Sequence, residues 1–128
     1  MIFIARIPIE TPNAVAVGPY SQGVDAGGII FLSGQTPIDP KTGNLVPGGV
    51  SEQTEQCFVN LFAVLRAAGL SAAHVQKVNV FLTDMGDFAA MNQVYRQQFQ
   101  EPYPARTTIG VAALPLGAMV EIEMIAKR

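Results

Sequence analysis

The side chain with the most specific chemistry to offer is Arg106, which follows Pro104-Ala105. A guanidinium presents a planar fork of donors that grips a carboxylate through two charge-assisted hydrogen bonds, fixing orientation as well as supplying charge. The commoner fate of an arginine at a strand end is solvation, so its neighbourhood has to decide. Glu121 and Glu123 stand two residues apart near the end of the chain, a spacing that puts both carboxylates on one face of a strand. A carboxylate so placed can order a water and take its proton. The other reactive types occur singly. Cys57 is the only cysteine and His74 the only histidine, and neither has the neighbours that a metal site or a nucleophilic triad needs. No phosphate-cradling glycine loop is present.

These groups have to be held by elements lying between turn signals such as Gly18-Pro19, Gly27-Gly28, Asp39-Pro40 to Gly43-Asn44, Pro47-Gly48-Gly49 and Pro115-Leu116-Gly117. One helix is expected from about Ser51, as N-cap with Glu52 and Glu55 in the opening turns, to Gly69 as C-cap. Phe58, Leu61, Phe62, Leu65 and Ala68 recur at three- and four-residue steps and mark its buried face. A second helix begins near Asp87 and carries Phe88, Met91, Tyr95 and Phe99 on one stripe. Asn92 sits on the same stripe, and an amide buried there needs partners. Strands are expected at Ile2–Ile7, Gly28–Ser33, Val75–Leu82, about Arg106–Val111, and Met119–Ala126. The last alternates, with Val120, Ile122 and Met124 facing one way and Glu121, Glu123 and Ile125 the other. In Gly28–Ser33 both faces are apolar, so both ask to be dry.

Two helices among about five strands can cover only one face of a sheet. The open face, apolar in places and carrying two carboxylates, then reads as a contact between copies of the chain. Composition agrees. Only 14% of the residues are charged, against about 25% in an average soluble domain, a thin coat for a lone molecule. The 128 residues fit one domain, 1–128. A formal net charge of -2 and scattered cations give no footprint for nucleic acid or anionic membrane. No stretch approaches the roughly 18 to 20 apolar residues of a membrane helix. A single cysteine and the lack of a signal-peptide pattern point to a reducing, cytoplasmic setting.

Four short motifs in order carry a family resemblance over nearly the whole chain. They are Gly18-Pro19-Tyr20-Ser21-Gln22-Gly23; Ser33-Gly34-Gln35 with the Asp39-Pro40-Lys41-Thr42-Gly43 turn; Pro104-Ala105-Arg106-Thr107-Thr108; and Glu121-Ile122-Glu123. Together they resemble the Rid family of reactive intermediate deaminases, also called the YjgF or L-PSP family. The resemblance implies an α+β, chorismate-mutase-like fold, with a mixed β-sheet and two helices packed on one face. It also implies a homotrimer with clefts between subunits, and hydrolysis of 2-imino or enamine carboxylic acids such as 2-iminobutanoate and 2-aminoacrylate to 2-oxo acids and ammonia. Neither cofactor nor metal is implied.

Carried over residue by residue, the resemblance makes Arg106 the carboxylate clamp and the second glutamate, Glu123, the group that positions water. Tyr20, Ser33, Gly34, Asn92 and Thr108 become substrate-binding residues, Gly34 through its backbone. Thr108 departs from the pattern, since archetypal deaminases of the family often have a cysteine there. Cys57 lies among core residues of the first helix and is expected to be a small buried hydrophobe. With the imine carbon already electrophilic, holding it against an ordered water supplies most of the acceleration. Two other functions stay open at this point: a non-catalytic protein that binds small carboxylates in the same cleft, and an endoribonuclease or translation inhibitor, which the acidic balance disfavours.

Overall fold

The computed structural model describes residues 5–128. The first half of the strand expected at Ile2–Ile7 therefore lies outside the described residues; Ala5 and Arg6 are not in a strand, and Ile7 opens β1 (Ile7–Ile9). The elements that follow are β2 (Gly23–Asp25), β3 (Ile29–Gln35), β4 (Ile38–Asp39), β5 (Asn44–Leu45), α1 (Val50–Ala67), β6 (Val75–Leu82), α2 (Phe88–Arg96), β7 (Ala105–Gly110) and β8 (Val120–Lys127). β1, β2 and the β4–β5 hairpin were not among the expected strands. They are two or three residues long, too short for alternation to register.

Six strands form one sheet in the order β1-β2-β3-β8-β6-β7. β6 and β7 run parallel, while β8 pairs antiparallel with both β3 and β6. β3 and β6 are thus parallel to one another with β8 between them, and α1 and α2 are the crossovers that parallel strands require. Both helices pack on the same face. The mixed sheet and one-sided helical layer expected from the sequence are what the chain forms.

α1 starts one residue before the expected N-cap. Gly49 takes the cap position, and its N–H donates to Glu52 Oε1 at 2.7 Å. The other end closes at Gly69 in the left-handed region, φ 76°, where a residue without Cβ is least strained. Phe58, Leu61 and Leu65 are fully buried, and so are Cys57 and Asn60. Asn60 was hidden from the apolar periodicity. Its amide donates to Ile38 O at 2.9 Å and ties α1 to β4.

The core joins those residues to Ile30 and Leu32 of β3, Val78 and Val80 of β6, Ile122 and Met124 of β8, and Met91 and Tyr95 of α2. Phe58 stands at its centre, with ring centroids 5.6 Å from Phe62, 5.6 Å from Tyr95 and 5.7 Å from Phe99. Phe58→Ala removes a fully buried ring from among three aromatic neighbours and leaves a cavity between them. It is expected to destabilise the protein by about 3–5 kcal/mol, measured by denaturant unfolding.

Among the described residues no helix covers the other face of the sheet. Phe31 and Ile109 are 49% and 45% exposed there, although the sequence of β3 asks for dry surroundings on both sides. Phe31 lies beside Ile125, Asn79 beside Glu123, and Phe81 beside Glu121. Apolar rows and two carboxylates share this face.

Candidate functional site

Arg106 is the second residue of β7, opposite Val78, on the face that the helices cover. α2 was required to give Asn92 a partner, and Arg106 is that partner: Arg106 Nη1 donates to Asn92 Oδ1 at 2.7 Å. The guanidinium also lies over the Tyr95 ring at 4.6 Å and the Phe88 ring at 5.6 Å from the centroids. Two aromatic faces and an amide hold the plane of the fork, which lowers the entropy lost when it grips an anion. The Asn92 amide oxygen is therefore committed to Arg106. Arg106, Asn92, Tyr95, Arg96, Tyr103 and Pro104 surround a cavity of about 270 Å³.

Thr108 opposes Val80, so its side chain is also on the helix face. Its Oγ1 is buried and has no hydrogen-bond partner. Any contact it offers from the rim of the sheet comes from its backbone, on an edge strand with one side unpaired.

The remaining expected residues gather on the opposite side. Tyr20, Ser33, Gly34, Glu121 and Glu123 line one cavity of about 580 Å³ together with Val17, Gly18, Pro19, Thr36 and Pro115. Among the described residues its lining contains two carboxylates and no cation. The loop carrying Tyr20 is pinned by Gln22, which is buried; Gln22 Oε1 accepts from Thr11 N and its amide donates to Ala14 O. Tyr20 Oη accepts from Val17 N at 3.0 Å, leaving its own O–H to donate. Ser33 Oγ donates to Ser21 O at 2.7 Å, so toward a ligand it keeps only acceptor capacity.

The two glutamates differ in ways their spacing does not reveal. Glu123 Oε2 accepts from Asn79 Nδ2 at 2.9 Å, which occupies it within the sheet. Glu121 is half-buried, and burial first, then the Glu123 charge, pushes its carboxyl above the ordinary glutamate value. It lies over the β3 irregularity, where register with β8 slips between Leu32 and Gln35. A Cβ on Gly34 would come 2.8 Å from Glu121 Oε2. The missing side chain of Gly34 is the room in which that carboxylate stands. Glu121 thus differs from Glu123, which the motif singles out, in the space that Gly34 leaves for it and in a proton affinity raised by burial that only folding supplies. Gly34→Ala should displace a flexible carboxylate rather than backbone. The expected result is a melting temperature within a few degrees of wild type and a tenfold or greater loss of turnover, read side by side.

Arg106 and the glutamates lie on opposite faces of the sheet, so one chain does not bring the expected clamp and base together. Cys57 is buried, as expected of a small hydrophobe. Its thiol proton affinity is raised by burial and by Glu121, and Sγ contacts Gln35 O at 3.2 Å. Among the described residues no group of His, Cys, Asp and Glu is placed to hold a metal ion, and no helix is long and apolar enough to cross a membrane.

A family model described as endoribonuclease L-PSP matches residues 11–128. The chain belongs to this family, the YjgF or Rid proteins. A goat (Capra hircus) member named 2-iminobutanoate/2-iminopropanoate deaminase is 48% identical over 127 residues, covering 98% of this chain and 93% of the relative. A Pyrococcus horikoshii member named RutC family protein PH0854 is 51% identical over 119 residues, covering 92% and 94%. Among solved Rid structures, the E. coli protein TdcF with bound serine superposes with a TM-score of 0.90 at 46% identity, covering 95% of this chain and 98% of that one. The family fold is thereby shown; the relatives' names differ in the activity they state.

Proposed function

We propose that this protein is a 2-imino acid deaminase, hydrolysing 2-iminobutanoate and 2-iminopropanoate (the tautomer of 2-aminoacrylate) to 2-oxo acids and ammonia. The observation that carries the reading is the division of the site. A rigidly held arginine stands on the helix face at the edge strand, while a carboxylate in a cavity without a cation among its described lining residues stands on the uncovered, partly apolar face. Closing that face against further copies of the chain, as the homotrimer of the family would, lets Arg106 of one subunit reach the Tyr20, Ser33 and Glu121 cavity of the next.

In the assembled cleft Arg106 holds the substrate carboxylate and Tyr20 walls one side and donates from its hydroxyl. Glu121 accepts a proton from water as the water oxygen adds to the imine carbon. Glu121 passes that proton to the nitrogen to give the carbinolamine, then takes the carbinolamine hydroxyl proton and delivers it to the nitrogen as the C–N bond breaks, and ammonia and the 2-oxo acid leave. The site asks for a substrate with one carboxylate beside an electrophilic carbon. The name of the goat relative specifies that chemistry, and the serine bound to TdcF carries a carboxylate and an amine on one carbon. The family description also contains an endoribonuclease. An acidic cavity at the candidate base repels phosphate and speaks against RNA as substrate.

The experiment couples a pyridoxal-phosphate threonine dehydratase to this protein and follows 2-oxobutanoate release above the spontaneous rate. Acceleration proportional to protein concentration is expected. Binding of 2-oxobutanoate without any acceleration would replace the enzyme with a carboxylate-binding protein.

A further inference from the structure

The cavity on the helix side of Arg106 contains a second guanidinium. Asn92, Tyr95 and Arg96 occupy adjacent positions one turn apart on α2, and with Tyr103, Pro104 and Arg106 they enclose about 270 Å³. Among the described residues the one ion pair is Arg128 with Asp25. Arg96 and Arg106 therefore share a cavity with no carboxylate to balance either of them, in a chain of formal net charge -2. Arg96 also closes the last turn of α2, where a cation favours the helix dipole. That role needs neither a cavity nor a second arginine across it. Arg106 uses Nη1 on Asn92, and its other donors remain for an anion.

We infer that Arg96 is a specificity residue that recognises the distal acid group of a dicarboxylic substrate, a 2-imino acid of four or five carbons whose α-carboxylate Arg106 holds. The inference rests on the proposed role of Arg106 and adds the substrate class. The volume lies just under the roughly 300 Å³ at which small-molecule sites begin, which admits a short diacid and excludes bulky ones. Arg96 and the Tyr103 hydroxyl supply donors for the second carboxylate. A monocarboxylate leaves Arg96 in water and gains nothing from it. A preference of about tenfold for the diacid is expected, the ordinary worth of a charge-assisted hydrogen bond near a surface.

The test uses the whole assembled protein and the stable 2-oxo acids in place of the imines. Calorimetric titration gives affinities for 2-oxoglutarate and 2-oxobutanoate in wild type, Arg96→Ala and Arg96→Glu. The expected ratio of diacid to monoacid affinity is about ten in wild type, about one in Arg96→Ala, and inverted in Arg96→Glu. Arg96 is exposed, so both variants should melt with wild type. A wild-type ratio of one, or a ratio that survives Arg96→Ala, overturns the inference while 2-oxobutanoate binding keeps the imine deaminase reading intact. Failure of wild type to bind either acid overturns both.

Discussion

Arg106→Ala is expected to lower kcat/KM for 2-iminobutanoate by roughly a hundredfold or more, which corresponds to a few kcal/mol of lost transition-state stabilisation. The variant loses the charge that holds the substrate carboxylate, and with it the orientation that aims the imine carbon at water. Arg106→Lys should recover little. An ammonium on a flexible stem has neither the fork for two parallel hydrogen bonds nor the flat surface that stacks over Tyr95. Both variants should remain folded, because the guanidinium stands at the edge of the sheet and Asn92, its partner, is itself partly exposed. Steady-state kinetics with the melting temperature alongside separate the two effects. Near-normal turnover by a folded Arg106→Ala protein would remove the carboxylate clamp and the deaminase reading with it.

Glu121→Gln should lower kcat by about 10²–10⁴, the usual contribution of a positioned acid–base group, with little change in stability because the amide keeps the shape. The pH profile carries a second signature. Burial and the neighbouring Glu123 charge both disfavour the anion, so Glu121 binds its proton more tightly than an ordinary glutamate. A base must be deprotonated to act. The acid limb of kcat/KM is therefore expected above the ordinary value of 4.5, with activity lost as pH falls through it. Glu123→Gln removes the negative neighbour, and the limb should move down toward the ordinary value, with a smaller loss of turnover than Glu121→Gln. Should Glu123→Gln prove the more damaging of the two, the base would be the second glutamate, as the motif alone implied.

The contrast between the two glutamates shows where sequence reading stops. Val120, Ile122 and Met124 alternate with the carboxylates, which was enough to place both glutamates on the uncovered face. What sets their surroundings apart turns on Asn79, 44 residues from Glu123 along the chain and hydrogen-bonded to it, and on Gly34, whose missing Cβ makes room for Glu121. Neither contact leaves a trace in local spacing. Asn92 was legible as a polar residue on an apolar stripe in need of a partner. That the partner is Arg106 depended on β7 lying parallel beside β6 under α2.

By itself, the order of apolar periods determined the two helices, the long strands, the single covered face of the sheet and the burial of Cys57, because each follows from residues within a few positions of one another. The four motifs determined the family and the set of residues in play. Only the tertiary structure decided that Arg106 and the glutamates lie on opposite faces and that Ser33 spends its hydrogen on Ser21. It also showed that Arg96 borders the cavity of Arg106. The physical reason is common to all three. Strand register and helix placement come from packing summed over the whole core, and a shift of one residue in register would turn Arg106 to the other face while leaving every local pattern unchanged.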